Sequence, residues 1–111
     1  MRIDKKIQDS IVLLSLEGNL FGGPQSTELC TTFQELLDGE NKHVVLDVSG
    51  LSWLSIAGTG ILVSALTSFK NRGGDLKLLG ATQDVKEQLE RSSFDSIFEH
   101  YDRLESAIAA Y

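Results

Sequence analysis

The stretch from His43 to Phe69 constrains the fold more than any other, because its hydrophobic period changes from that of a buried strand to that of a helix within a few residues. His43-Val44-Val45-Leu46-Asp47-Val48 is a short apolar run rich in β-branched residues, set between Asn41-Lys42 and Ser49-Gly50. It predicts a central strand. Leu51-Ser52-Trp53-Leu54 reads as an apolar link, and Ser55-Ile56-Ala57-Gly58-Thr59-Gly60 as a sharp turn from which a helix leaves near Gly58. Beyond it, Ile61, Ala65 and Phe69 fall at i, i+4 and i+8 with Leu62 and Leu66 beside them, so five apolar side chains share one face. Burying each large one contributes about 1.5–3 kcal/mol, which holds the helix on a sheet. The opposite face carries Gly60, Ser64, Thr67 and Asn71, with Val63 among them.

The remaining segments supply the partners of this unit. Ile3 to Gln8 and Ile11 to Leu16 are two short strand candidates around Asp9-Ser10, a pair suited to a turn. Lys5-Lys6 place the first at the sheet edge, where charge discourages unwanted pairing, and the continuously apolar second further in. Gly22-Gly23-Pro24 starts a helix running to about Asp38, with Leu29, Phe33, Leu36 and Leu37 at helical spacing and Gly39 to end it. Asn71-Arg72-Gly73-Gly74 turns the chain into a strand, Leu76-Lys77-Leu78-Leu79, and strand–helix–strand order implies a parallel pair with a right-handed crossover. A third helix starts near Thr82 and carries Val85 and Leu89, with Asp84 and Glu87 in its early turns. Phe94 to Phe98 reads as a final strand or an extended link. Leu104, Ala107 and Ile108 mark a C-terminal helix that Asp102 is placed to cap. The sum is an α/β fold: a mixed, mainly parallel sheet of four to five strands with about four helices.

With 111 residues, 41% of them hydrophobic, the chain is expected to be one domain over residues 1–111. Ten basic against sixteen acidic side chains give a net charge of −6, which argues against nucleic acid, since neutralising phosphates needs clustered Lys and Arg. An acidic surface favours solubility and basic protein partners, although most of these acids simply solvate exposed helix faces. No apolar run approaches the roughly 18–20 residues that span a bilayer, and Met1-Arg2-Ile3-Asp4 opens no apolar signal core, so a cytoplasmic location without membrane insertion is expected. Cys30 is the sole cysteine, and its place beside Leu29 and Phe33 predicts a buried filler rather than a metal ligand.

Most catalytic chemistries fail on spacing. Gly58-Thr59-Gly60 lacks the glycine at position 63 that a dinucleotide fingerprint needs, since Val63 stands there, and Gly22-Gly23 is not followed by Gly-Lys-Ser/Thr. Ser55 sits in no nucleophile elbow, and His43 and His100 read as exposed structural histidines. Asp47 has no second acid nearby in sequence and is expected to hold the Ser49-Gly50 turn by hydrogen bonding. Trp53 is expected to be half buried, with an interface anchor as its alternative role. No acid, base and nucleophile form a constellation, so no enzyme, cofactor or metal is expected.

Leu46-Asp47-Val48-Ser49-Gly50-Leu51, followed by Ser55-Ile56-Ala57-Gly58-Thr59-Gly60-Ile61-Leu62, resembles the signature of STAS domains, the anti-sigma-factor antagonist fold. Asn71-Arg72-Gly73-Gly74-Asp75-Leu76-Lys77-Leu78-Leu79 is similar to the family's next loop and strand, and Gly18-Asn19-Leu20 to its Gly-x-Leu ahead of the first helix, with Phe21 where an Asp is usual. The resemblance spans nearly the whole chain. In the phosphorylated members the turn reads Asp-Ser-Ser-Gly, and the second Ser accepts phosphate from a partner kinase. Aligning that Gly with Gly58 puts Ala57 at the acceptor position, Ile56 at the first Ser and Ser55 at the Asp. Alanine has no hydroxyl to phosphorylate.

The resemblance implies that Ser55, Ile56, Ala57, Gly58, Thr59, Gly60 and Val63 form a docking edge for a histidine-kinase-like serine kinase that otherwise holds a sigma factor. Gly58 and Gly60 let a backbone approach, either a partner's or the sheet's own, and the free N–H groups of the first helical turn offer donors. On this reading the protein is a binding module released from the usual phosphate switch, unless Ser55 or Thr59 substitutes as acceptor. A second reading, from the same resemblance, is a cytoplasmic STAS subunit of a lipid-transport ATPase. Dimerisation is left open.

Overall fold

The structure is a computed structural model that describes residues 1–39 and 41–111. Five strands form one sheet: β1 (Arg2–Gln8), β2 (Ile11–Leu20), β3 (His43–Leu54), β4 (Asp75–Leu79) and β5 (His100–Tyr101). They lie side by side in chain order, β1 antiparallel to β2 and every later pair parallel. Asp9 and Ser10 both take positive φ, 52° and 67°, the backbone of the tight hairpin turn that matches strand twist. The mixed, mainly parallel sheet of the sequence reading is therefore present, with the lysine-bearing β1 at its edge.

Four α-helices accompany the strands: α1 (Thr27–Asp38), α2 (Ile56–Asn71), α3 (Gln83–Arg91) and α4 (Leu104–Ala109). When parallel strands are added in sequence on the same side through crossovers of one hand, the crossover helices return over one face. Accordingly α1, α2 and α3 share a single core, in which Leu29, Phe33, Leu62, Phe69, Val85 and Leu89 meet Val12, Leu14, Val44, Leu46, Leu76 and Leu78. Phe33 and Phe69 join edge to face with centroids 6.0 Å apart. The other face holds a smaller cluster of Ile11, Val45, Leu79 and Ala107, covered by α4 and Tyr111.

Several boundaries differ from the sequence reading. β3 does not stop at Val48. It runs on through Ser49-Gly50 to Leu54, because β2 also extends to Leu20 and supplies Gly18, Asn19 and Leu20 as partners of Leu51, Trp53 and Leu54. Two register shifts absorb the change. Asp47 accepts from the Ser49 N–H at 3.0 Å and hydroxyl at 2.7 Å, the bonding expected of it, at the first of these irregularities. The helix after the turn begins at Ile56 rather than Gly58. A 3-10 turn over Gly23–Ser26 precedes α1. Asp95–Ile97 form another such turn rather than a strand, and the last strand is His100–Tyr101. The residue capping α4 is Arg103, without a side-chain hydrogen bond, and not Asp102. Cys30 is exposed and not a core filler, because the buried side of α1 is defined by Leu29, Phe33, Leu36 and Leu37.

Candidate functional site

The site is built where β3 ends and α2 begins. Ser55 is extended, with φ −84° and ψ 171°, and its Oγ accepts the Gly58 N–H at 3.0 Å, which makes it the N-cap of α2. The same hydroxyl donates to the Phe21 carbonyl at 2.8 Å, and the Ser55 N–H donates to the Leu20 carbonyl at 3.0 Å. One serine therefore starts the helix and ties it to the end of β2. The Thr59 N–H makes the first helical bond to the Ser55 carbonyl, and the Thr59 hydroxyl bonds that carbonyl as well, at 2.9 Å. The N–H groups of Ile56 and Ala57 have no acceptor among the described residues.

The residues of the expected docking edge divide by burial. Ile56 is 78% exposed, with Phe21 also exposed on the strand end that Ser55 binds. Ala57 and Gly60 are exposed, and a Cβ on Gly60 would meet open space. Gly58 and Thr59 are buried, Thr59 to 1%. A Cβ on Gly58 would lie 2.3 Å from the Leu20 carbonyl oxygen, so this glycine serves the packing of α2 on β2. Val63 is half buried and packs partly against the main core. Gly22, at φ +85°, brings the loop after β2 against Ala57, where a Cβ would sit 2.7 Å from the Ala57 methyl.

Small residues on the outer face of α2 leave a groove of about 380 Å³ against α1, lined by Cys30, Phe33, Ala57, Gly60, Ile61 and Ser64 among others. Ala57 lies at its head. The tip of α2 thus presents a methyl, a branched aliphatic side chain and an aromatic ring, with no charged residue in the first helical turn. Large exposed apolar groups gathered in one place are the mark of a protein-interaction surface.

The sequence reading missed a polar cluster on the opposite sheet face. Lys77, 3% exposed in the middle of an apolar strand, donates to Asp75 at 3.1 Å and Glu99 at 2.9 Å, with the Tyr111 ring centroid 4.5 Å from its Nζ. Burial opposes its charge, but the bonds to Glu99 and Asp75 outweigh burial and raise its pKa. Hydrogen bonds from Lys77 and then Tyr101 hold the Glu99 carboxyl down at about 2. Burial first, and Asp75 second, push the Tyr111 phenol well above its usual range, and its OH receives the Val44 N–H and faces the Val44 and Asp75 carbonyls. His43 is half buried, its ring tilted against that of Tyr111 at 4.9 Å, while His100 is exposed and bonds the Asp95 carbonyl. Lys77, Asp75, Glu99 and Tyr111 each have a structural partner in this cluster, while His100 and Asp95 line a shallow surface hollow of about 280 Å³ with Lys86 and Glu90.

The profile of the STAS domain family matches residues 2–107. Among solved structures, a candidate anti-sigma factor antagonist from Thermotoga maritima superposes with a TM-score of 0.86 at 24% identity, covering 97% of this chain and 92% of the other. An anti-sigma factor antagonist from Mycobacterium paratuberculosis gives 0.83 at 16% identity, over 98% and 92% of the two chains. The phosphorylated form of the Bacillus cell-fate determinant SpoIIAA gives 0.77 at 13% identity, over 98% of each. At these identities the structural matches establish a shared fold. No helix of the described residues is long and apolar enough to cross a membrane.

Proposed function

The chain belongs to the STAS domain family, whose anti-sigma-antagonist members are in general non-enzymatic binding modules, and from that premise we propose that it docks through the tip of α2 on a serine-kinase anti-sigma factor and thereby frees a sigma factor. The observation that carries this reading is the exposed apolar tip itself, with Ile56 at 78% exposure beside Phe21 and held by the Ser55 cap. Three of the residues assigned to the docking edge, Ile56, Ala57 and Gly60, meet the partner directly. Gly58, Thr59 and Ser55 shape the tip from beneath, and Val63 braces its flank.

The docking is constitutive with respect to phosphate. A phosphoryl group at the family's acceptor position adds about −2 charge to the interface and repels the partner, and Ala57 provides no oxygen to receive one. Neither neighbouring hydroxyl is suited to substitute. Thr59 is buried and spends its hydroxyl on the Ser55 carbonyl, and the Ser55 hydroxyl bonds both Gly58 and Phe21. Phosphoryl transfer depends on in-line positioning that such engaged groups do not offer. Control then rests with the protein's abundance or the partner's own nucleotide state.

Incubation with the cognate kinase and ATP, followed by intact-mass measurement, tests both halves of the proposal. The wild type is expected to remain unmodified while Ala57→Ser gains one phosphate. A stoichiometric phosphate on the wild type defeats the constitutive reading. Ile56→Asp is expected to weaken capture of the kinase at least tenfold, about 1.4 kcal/mol or more. Recovery of a membrane ATPase complex in place of a soluble kinase, when the tagged protein is isolated from its own cell, transfers the chain to the transport reading.

A further inference from the structure

Two residues before the Ser55 cap, at the end of β3, Trp53 is 50% exposed. α3 runs alongside, so that Asp84, Glu87, Gln88 and Arg91 wall a separate cleft of about 130 Å³ with Trp53 and Leu54. A cleft of this size suits a single side-chain head group. Its chemistry is mixed in a particular way. One wall is an indole ring that carries no cation, since the cation–ring contacts found among the described residues both belong to Lys77. The other wall holds two carboxylates. Asp84 makes no ion pair or side-chain hydrogen bond among the described residues, and Glu87 is engaged weakly, at 3.3 Å from Gln83 and 3.9 Å from Arg91.

We propose that this cleft receives a single arginine side chain from the protein partner that docks on the α2 tip. The inference rests on the docking reading for its partner, and on the cleft for its chemistry. A guanidinium is flat and weakly hydrated, stacks on an indole face, and presents a fork of N–H donors to carboxylates beside it. An ammonium lacks the plane that the ring would cover. Leu54, which lines the cleft, immediately precedes the Ser55 cap of α2, so on this proposal the arginine sits at the rim of the contact made by the tip, where a charged anchor fixes register beside an apolar centre. Arg91 at the mouth competes for Glu87 from within the chain. Its side chain is 70% exposed and its Nη2 stays 3.9 Å from the carboxylate, so an incoming guanidinium displaces a loose pair.

Trp53 is the only tryptophan, so its indole N–H resonance reports on this cleft alone. The protein is titrated with the peptide acetyl-Gly-Arg-Gly-amide and with its neutral citrulline counterpart. A saturable shift is expected with the arginine peptide, at least tenfold weaker binding with citrulline and with the lysine peptide, and a tenfold loss in Asp84→Asn/Glu87→Gln whose fold is checked by circular dichroism. Arg91→Ala is expected to tighten binding severalfold, which a merely structural role for Arg91 would not produce. Absence of a saturable shift, or equal binding of the citrulline or lysine peptide, overturns the assignment. Kinase capture separates the two proposals: capture lost in Ile56→Asp but unchanged in Asp84→Asn/Glu87→Gln removes the partner's arginine while leaving the docking surface standing. A positive peptide titration with no kinase captured removes the docking reading and leaves the cleft.

Discussion

Gly58 and Gly60 stand two residues apart in one turn and do opposite things. Gly58 faces the Leu20 carbonyl with no room for a methyl, and Gly60 faces open space within a helix. Gly58→Ala is therefore expected to destabilise the fold by about 1–3 kcal/mol through overpacking against backbone that cannot yield. Gly60→Ala is expected to be neutral or to stabilise by up to about 1 kcal/mol, because alanine loses less backbone entropy in a helix. Urea denaturation of the two variants distinguishes these outcomes. Ser55→Ala removes both the cap and the tether to Phe21 and is expected to cost about 1–2 kcal/mol by the same measurement. If Ser55→Ala proves neutral, the hydroxyl is not what starts the helix.

At the scale of elements, α2 is held by its apolar face and positioned by its first turn, whereas α4 is only six residues long and depends on what lies beneath it. Lys77 and Tyr111 provide that support. The lysine bridges Asp75 in its own strand to Glu99 just before β5, and the Tyr111 ring covers the ammonium while its hydroxyl bonds the backbone of β3 and β4. Lys77→Met leaves the Asp75 carboxylate without its cation and is expected to destabilise by about 1–3 kcal/mol. This is less than the roughly 3–5 kcal/mol of a fully buried pair, because Glu99 reaches solvent. Thermal unfolding of the variant tests it, and an unchanged midpoint would show that the pair contributes nothing.

For the molecule as a whole, the same cluster sets part of the acid response. The Glu99 pKa in the folded protein, about 2, lies below its ordinary value of 4.5, so folding favours the ionised form. Its contribution is complete above about pH 4.5 and fades as the pH falls through about 2. Glu99→Gln should thus be less stable than the wild type at neutral pH, with the difference shrinking below pH 4.5 and vanishing near pH 2. Comparing the two proteins by denaturation along that pH series isolates this group, since every other carboxylate is common to both. The α2 tip, the proposed docking face, lies across the sheet from this cluster and carries no group whose titration enters the comparison.

The elements were legible in the sequence wherever their pattern is local. The apolar, β-branched run from Val44 to Val48, the three-and-four spacing of Leu62, Leu66 and Phe69, and the helix start near Thr82 each declare themselves within a few residues, and with them come the sheet, its edge and the position of the α2 tip. What the sequence left open depends on atoms far along the chain. Leu51 to Leu54 become a strand only because Gly18 to Leu20 are there to pair with them, and Gly58 differs from Gly60 only because Leu20 lies under one of them. Cys30 and Lys77 were misjudged or passed over for the same reason. A residue's own segment specifies its direction, but which directions end in solvent is decided by the layer packed opposite: α1 turns Cys30 outward, and α4 with Tyr111 closes over a charge.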